Sequence, residues 1–269
     1  MDKMQVKPST QPVILATPVG LYPGAAAPSS QQLRDAVFSA LMRMKVPSVC
    51  TVNQEVLSLF ASRRTSGILV NIGHKKTQVF PILRGRTLSP GVVSIKIGGS
   101  DLTVYLFRQL VHRNVGPRPL RGVSLLKKNL CYVALDYEAE LRKKDTEASF
   151  ETRPGHWYTL KQERFQTGEI LFQPHIEGSC LCSFWFRQSM GLHQAVAHCI
   201  ERQAERSPDY NWYKTIVLAG GTANLPGLAE RLDKELHNLL PPNISQGICV
   251  ITSPYDADAV WHGGKWSAM

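Results

Sequence analysis

No stretch of about 18 consecutive apolar residues occurs anywhere in the chain, so the sequence predicts no membrane-spanning helix. Residues 1–10 are polar and lack the apolar centre of a secretory signal. Together these absences predict an intracellular protein. The six cysteines, Cys50, Cys131, Cys180, Cys182, Cys199 and Cys249, form no paired CxxC framework; free, mostly buried thiols are the simplest state for them. Cys180 and Cys182 with His193 and His198 sketch a metal site. Histidines five apart sit poorly on one helix face, however, and the expectation is no metal ligand set. There is no GxSxG, no HExxH, no Walker or dinucleotide fingerprint, and no carboxylate pair at a catalytic spacing. Low-complexity tracts and internal repeats are also absent.

What is present is a chain of 269 residues, 43% of them apolar, long enough to bury a substantial core. Its formal net charge is +10. The basic residues fall in short clusters, at Arg63-Arg64, Lys75-Lys76, Lys127-Lys128 and Arg142-Lys143-Lys144, with no interleaved aromatic platform. A solvated basic surface is the expectation, with a chromatin or nucleic-acid-associated module as one alternative.

Periodicity predicts strands over 13–16, 49–52, 88–97, 157–160, 215–219 and 247–251. A hairpin of two strands, 67–71 and 77–83, turns through 72–76. Helices are predicted over 31–45, 54–63, 102–112, 123–143, 192–204 and 227–240. Pro47 ends the first of these and Pro241-Pro242 the last. Ser100 or Asp101 caps the third, and Leu228, Leu232, Leu236 and Leu239 line one face of the last. The stretches 21–30 and 144–155 are read as a loop and a polar surface excursion. Recurring strand, glycine turn and helix predicts an α/β protein.

Two glycine turns are candidate binding elements. Asn71-Ile72-Gly73-His74-Lys75 closes the hairpin, and its backbone N–H groups suit an anion. At Gly220-Gly221-Thr222 a buried strand empties into two glycines before a helix, letting backbone approach a flat or anionic ligand.

Taken in order, these motifs resemble the actin family. The carriers are VNQEVLSLFAS at 52–62 with RTSGI at 64–68, GGSDLTVYL at 98–106 and NLCYVALD at 129–136. ERF at 163–165 with LFQP at 171–174, VLAGGT at 217–222 with LPG at 225–227, and VWHGG at 260–264 complete the set. The run KQERFQTGEILFQP at 161–174 looks most like the plant actin-related proteins of class eight, whose full-length members carry an F-box ahead of the actin module.

The resemblance implies a partial actin-like, ribonuclease H-like ATPase fold of mixed sheets with flanking helices. It implies an outer-lobe remnant over 1–65, an inner lobe over 66–253 and a return to the outer lobe over 254–269. The segment 178–190 is expected to be an inserted loop, exposing Phe184, Trp185 and Phe186. The family binds ATP with magnesium between two phosphate hairpins, and the match here begins after the first hairpin and stops soon after Trp261.

By the same resemblance Gln54 stands at the position that orients attacking water. Gly73 belongs to the second phosphate hairpin, Gly99 to a segment approaching the nucleotide, and Lys127 lies near the nucleoside. Gly220, Gly221, Thr222 and Leu225 form the nucleoside and phosphate turn. Several positions depart from the family. Asn71 and His74 replace two hairpin aspartates and Lys75 replaces a glycine. Lys128 replaces a glutamate near the ribose, and Ala257 a lysine near the base.

Phosphoryl transfer needs metal, positioned water and charge stabilisation together. The sequence therefore predicts a non-catalytic module acting through other proteins in the nucleus, including the nucleolus, or the cytoplasm. ATP or ADP with magnesium would bind weakly at most. F-box and ubiquitin-ligase components are the partners implied for the full-length protein, with no membrane partner. An ATP-hydrolysing, cytoskeletal actin-like protein is the remaining alternative.

Overall fold

The apolar run Ile68-Leu69-Val70 alternates between two cores, and that alternation explains the architecture. Ile68, Val70 and Ile72 join one hydrophobic cluster, whereas Leu69 joins another on the opposite face. Ile216 and Leu218 follow the first, and Val217 and Ala219 the second. A sheet buried on both faces needs near-continuous apolar strands. A computed structural model describes residues 7–17, 28–115, 119–176, 190–204 and 212–267 of the chain.

In chain order, β1 (Val13–Thr17), α1 (Pro28–Arg43), β2 (Val49–Asn53) and α2 (Gln54–Ala61) come first. β3 (Gly67–Ile72), β4 (Thr77–Leu83), β5 (Arg86–Thr87) and β6 (Val93–Ile95) lead to α3 (Gly99–His112). Then come α4 (Leu120–Leu130), α5 (Tyr137–Leu141), β7 (Ala148–Arg153), β8 (His156–Leu160) and α6 (Glu163–Glu169). The last elements are α7 (Leu192–Ala204), β9 (Thr215–Ala219), α8 (Leu228–Leu239), α9 (Pro242–Ser245), β10 (Cys249–Thr252) and α10 (Ala259–Ser267).

The main sheet has the order β10-β9-β3-β4-β5, with β6 also pairing β4. β10, β9 and β3 run parallel, and β3 and β4 form the antiparallel hairpin. β1 and β2 make a separate parallel pair, and β7 and β8 an antiparallel hairpin. Helices α3, α4, α7 and α8 contribute to the larger core, and α2 to the smaller. Helix α10 crosses α2 at Gly263, where a Cβ would collide with the Leu57 carbonyl.

Pro81 sits inside β4, opposite Ile68. Its carbonyl accepts from Leu88 N at 2.8 Å, so its nitrogen faces the same side, away from β3. On that side β6 pairs residues 77–79 and β5 pairs 82–83, leaving a gap at Pro81 where no ladder N–H is needed.

The observed elements correct several expectations. The strand predicted over 88–97 is interrupted by a 3₁₀ turn, Ser89–Gly91, because Pro90 cannot donate to a ladder. The cap of α3 is Gly98, whose N–H donates to Asp101 Oδ2 at 2.8 Å; neither Ser100 nor Asp101 is the cap itself. The helix expected over 123–143 breaks into α4 and α5. Between them Tyr132 N donates to Arg164 O and Val133 N to Pro226 O, so tertiary bonds replace helical ones.

The polar excursion at 144–155 holds β7. Helix α1 begins at Pro28, within the expected loop, and ends at Arg43, ahead of Pro47, with Lys45 left-handed (φ 55°). Leu239 is 48% exposed, and Leu240 is buried instead. Pro242 also starts α9, at a first-turn position that needs no N–H. Cys180, Cys182 and the apolar segment at 184–186 lie outside the described residues.

Candidate functional site

Parallel strands β3 and β9 end side by side, at Ile72 and Ala219, and each runs into a glycine turn. Such carboxyl ends are where open α/β sheets leave a crevice. Gly73 N closes the hairpin on Lys76 O at 3.0 Å. The start of α3 lies against this turn: Gly99 N donates to Gly73 O at 2.9 Å and Ser100 N to His74 O at 2.7 Å. Two of the first-turn donors of α3 are therefore already spent. By contrast, the N–H groups of His74, Lys75 and Lys76 donate to no backbone acceptor among the described residues.

Gly99 has no room for a side chain, since a Cβ would lie 2.5 Å from Thr222 Oγ1 and 3.4 Å from Lys127 Nζ. Gly220 is left-handed (φ 94°), and a Cβ there would lie 2.6 Å from Ile72 O and 2.7 Å from Asn71 Oδ1. The next glycine, Gly221, faces open space.

These elements surround a cavity of about 630 Å³. Gly73, His74, Gly99, Lys127, Gly221 and Thr222 line it, together with Arg121, Ser124, Lys128 and Ala257. No carboxylate is found among the described lining residues. Lys127 is buried, donates from Nζ to Gly99 O at 2.5 Å, and has no ion-pair partner among the described residues. Burial pulls its ammonium down to about 8, with Lys128 pushing the same way and Asp101 and Cys131 opposing. The Asp101 carboxyl is raised by burial, against the Gly98 N–H that stabilises its charged form.

The structure does not bring every sequence candidate to this wall. Lys75 is exposed at the outer tip of the turn. Leu225 is packed into the larger core. Gln54 opens α2, whose apolar residues pack on the sheet face opposite α3 and α4. Asn71 reaches the Gly220 turn behind the cavity. Arg121 and Ser124 were not anticipated. They share a face of α4 with Lys128, at the i, i+3, i+7 spacing, and the signal was in the sequence once the helix is started at Leu120.

The residues present fit the phosphates of a nucleotide: a buried ammonium with no ion-pair partner among the described residues, the cations of Arg121 and Lys128, and His74 of the hairpin turn line one cavity. They do not fit the magnesium that accompanies ATP in the family, because no lining carboxylate can hold a metal's water shell. Among the described residues no group of three or more His, Cys, Asp or Glu side chains could hold a metal ion either. His198 is exposed, and His193 stacks on Phe172 at 5.9 Å, with burial lowering the affinity of its ring for a proton.

Comparison with known proteins adds sequence relatives. The family model described as Actin matches residues 1–123 and 119–268. Actin-related protein 8 of Arabidopsis thaliana is 48% identical over 268 residues, covering 98% of this chain and 55% of that protein. The proteins of the same name from Oryza sativa subsp. indica and subsp. japonica are 48% identical over 98% of this chain and 54% of their own length. The chain thus spans about half the length of the curated relatives it matches.

Proposed function

The chain belongs to the actin family, and from that premise we propose that it is a non-catalytic actin-related module. In this reading it acts through contacts with other proteins and holds a nucleotide weakly, by its phosphates. The observation that carries it is the charge of the cleft wall. Lys127, Lys128, Arg121 and His74 face the cavity without a carboxylate among the described lining residues. Such a wall attracts phosphate but leaves a divalent ion without anionic support.

Hydrolysis of ATP asks the protein to fix metal, water and γ-phosphate together. Where the resemblance places two aspartates, this chain has Asn71 and His74. An amide carries no charge to anchor a metal-bound water. Lys127 would supply a point charge to the phosphates, and the His74 N–H, which donates to no backbone acceptor among the described residues, would supply a donor. The Gly220-Gly221-Thr222 turn would give close backbone approach. Action in the nucleus or cytoplasm, with ubiquitin-ligase components among the partners of a longer protein, belongs to the same proposal and follows from the likeness to the class-eight proteins.

Phosphate release from Mg-ATP, measured for this chain and for Gln54→Ala, is expected to be at background for both. Magnesium-dependent release above the Gln54→Ala rate overturns the proposal.

A further inference from the structure

The nucleotide cleft is not the only concave basic surface. A second pocket, of about 450 Å³, lies between α4 and the β7–β8 hairpin. Its apolar walls come from Pro119, Leu125 and Tyr158, and Arg121, Arg153 and His156 supply the polar groups. No carboxylate is among its described lining residues. Neither Arg121 nor Arg153 makes an ion pair or a side-chain hydrogen bond among the described residues.

The position of Arg153 is set by a backbone irregularity. Phe150 pairs with Tyr158 and Glu151 with Trp157, and then the register shifts so that Arg153 pairs with His156. Strict alternation would place residue 153 on the face opposite residues 150 and 152. The bulge at Thr152 turns Arg153 back onto the face that His156 and Tyr158 share. A basic residue is thereby placed directly across from a histidine, beside a second unpaired guanidinium.

We propose that this pocket is a docking site for an acidic protein segment carrying an apolar side chain. The arginines pair with the carboxylates, and the apolar side chain lies against Leu125 and Tyr158. Leu125 is 40% exposed, an apolar surface at the pocket edge that such a side chain would cover. The cavity is far larger than one small inorganic anion, and its apolar walls have nothing to offer a bare phosphate. The inference deepens the reading of this chain as a protein-contact module and rests on it. Turnover of ATP, measured on the same samples, tests that reading separately.

The probe is a rhodamine-labelled decapeptide of glutamate with one central leucine, titrated onto the whole chain by fluorescence anisotropy. Arg153→Glu is expected to weaken binding by about tenfold or more, and Arg142→Glu, the same charge change at an exposed site elsewhere, by less than about twofold. Leu125→Glu is the second pocket variant, expected to match Arg153→Glu, and a melting curve confirms the fold of each. Equal losses in Arg153→Glu and Arg142→Glu overturn the proposal, as diffuse attraction to a basic protein would produce them. An all-glutamate peptide binding as tightly as the leucine peptide, competition by inorganic phosphate at the peptide's own concentration, or no binding at all also overturns it.

Discussion

Lys127 is held in the folded chain at a cost. Its ammonium is buried and donates to the Gly99 carbonyl, and its affinity for a proton falls from the usual 10.5 to about 8. Between those values the unfolded chain binds more protons than the folded one, so stability rises with pH across the window. The full effect is on the order of 3 kcal/mol. Lys127→Met removes it. Urea denaturation is expected to show the variant more stable than the parent near pH 7, with the gap narrowing toward pH 10. A gap that stays constant would mean that Lys127 is not strained by burial. The lysine itself was legible through the family resemblance. Its burial was not, because that depends on α3 and the Gly220 turn closing over it.

At the scale of elements, the turn after β9 pairs two adjacent glycines with opposite requirements. Gly220 needs a left-handed backbone and sits against the carbonyl of Ile72, whereas Gly221 has nothing within 4 Å of an added Cβ. Gly220→Ala is expected to cost about 2 kcal/mol or more, and Gly221→Ala under about 1 kcal/mol. Thermal melts of the two variants check the contrast, and equal losses would contradict it.

Strands and helices with an unbroken local pattern, such as β9 and α7, were readable to the residue. The helix expected over 123–143 was not, since its break at residues 131–136 is made by Arg164 and Pro226, partners far along the chain. β7 was missed because Ala148 and Phe150, the two apolar residues it packs on the larger core, alternate with polar ones and make no apolar run.

Across the whole molecule, one buried side chain ties distant parts of the chain together. Arg231 on α8 makes two hydrogen bonds of 3.0 Å to Glu169 of α6 and one of 2.8 Å to Ala134 O. Burial pushes the Glu169 carboxyl up, and Arg231 pulls it back. Arg231→Leu strands a buried carboxylate and is expected to cost about 3–5 kcal/mol, with the Glu169→Leu/Arg231→Leu pair recovering most of it. In the single variant the Glu169 carboxyl rises further. Between the unfolded carboxyl value and that raised one the folded chain binds more protons, so the loss shrinks as pH falls from 7 toward 5. Chemical denaturation of the single and double variants over that range tests both statements. A double variant as unstable as the single one would count against the pairing.

The sequence by itself determined the α/β class, the family likeness and the replacement of two acidic positions by Asn71 and His74. These are properties of residue type and order, which need no neighbour in space. Tertiary structure decided which of the named residues meet. It drew Gly99, Lys127 and Thr222 together, left Gln54 and Lys75 off the cavity wall, and turned Arg153 beside Arg121 through a one-residue bulge. Charge and burial at a site are sums over groups far apart in the chain, and only the packed fold performs that sum.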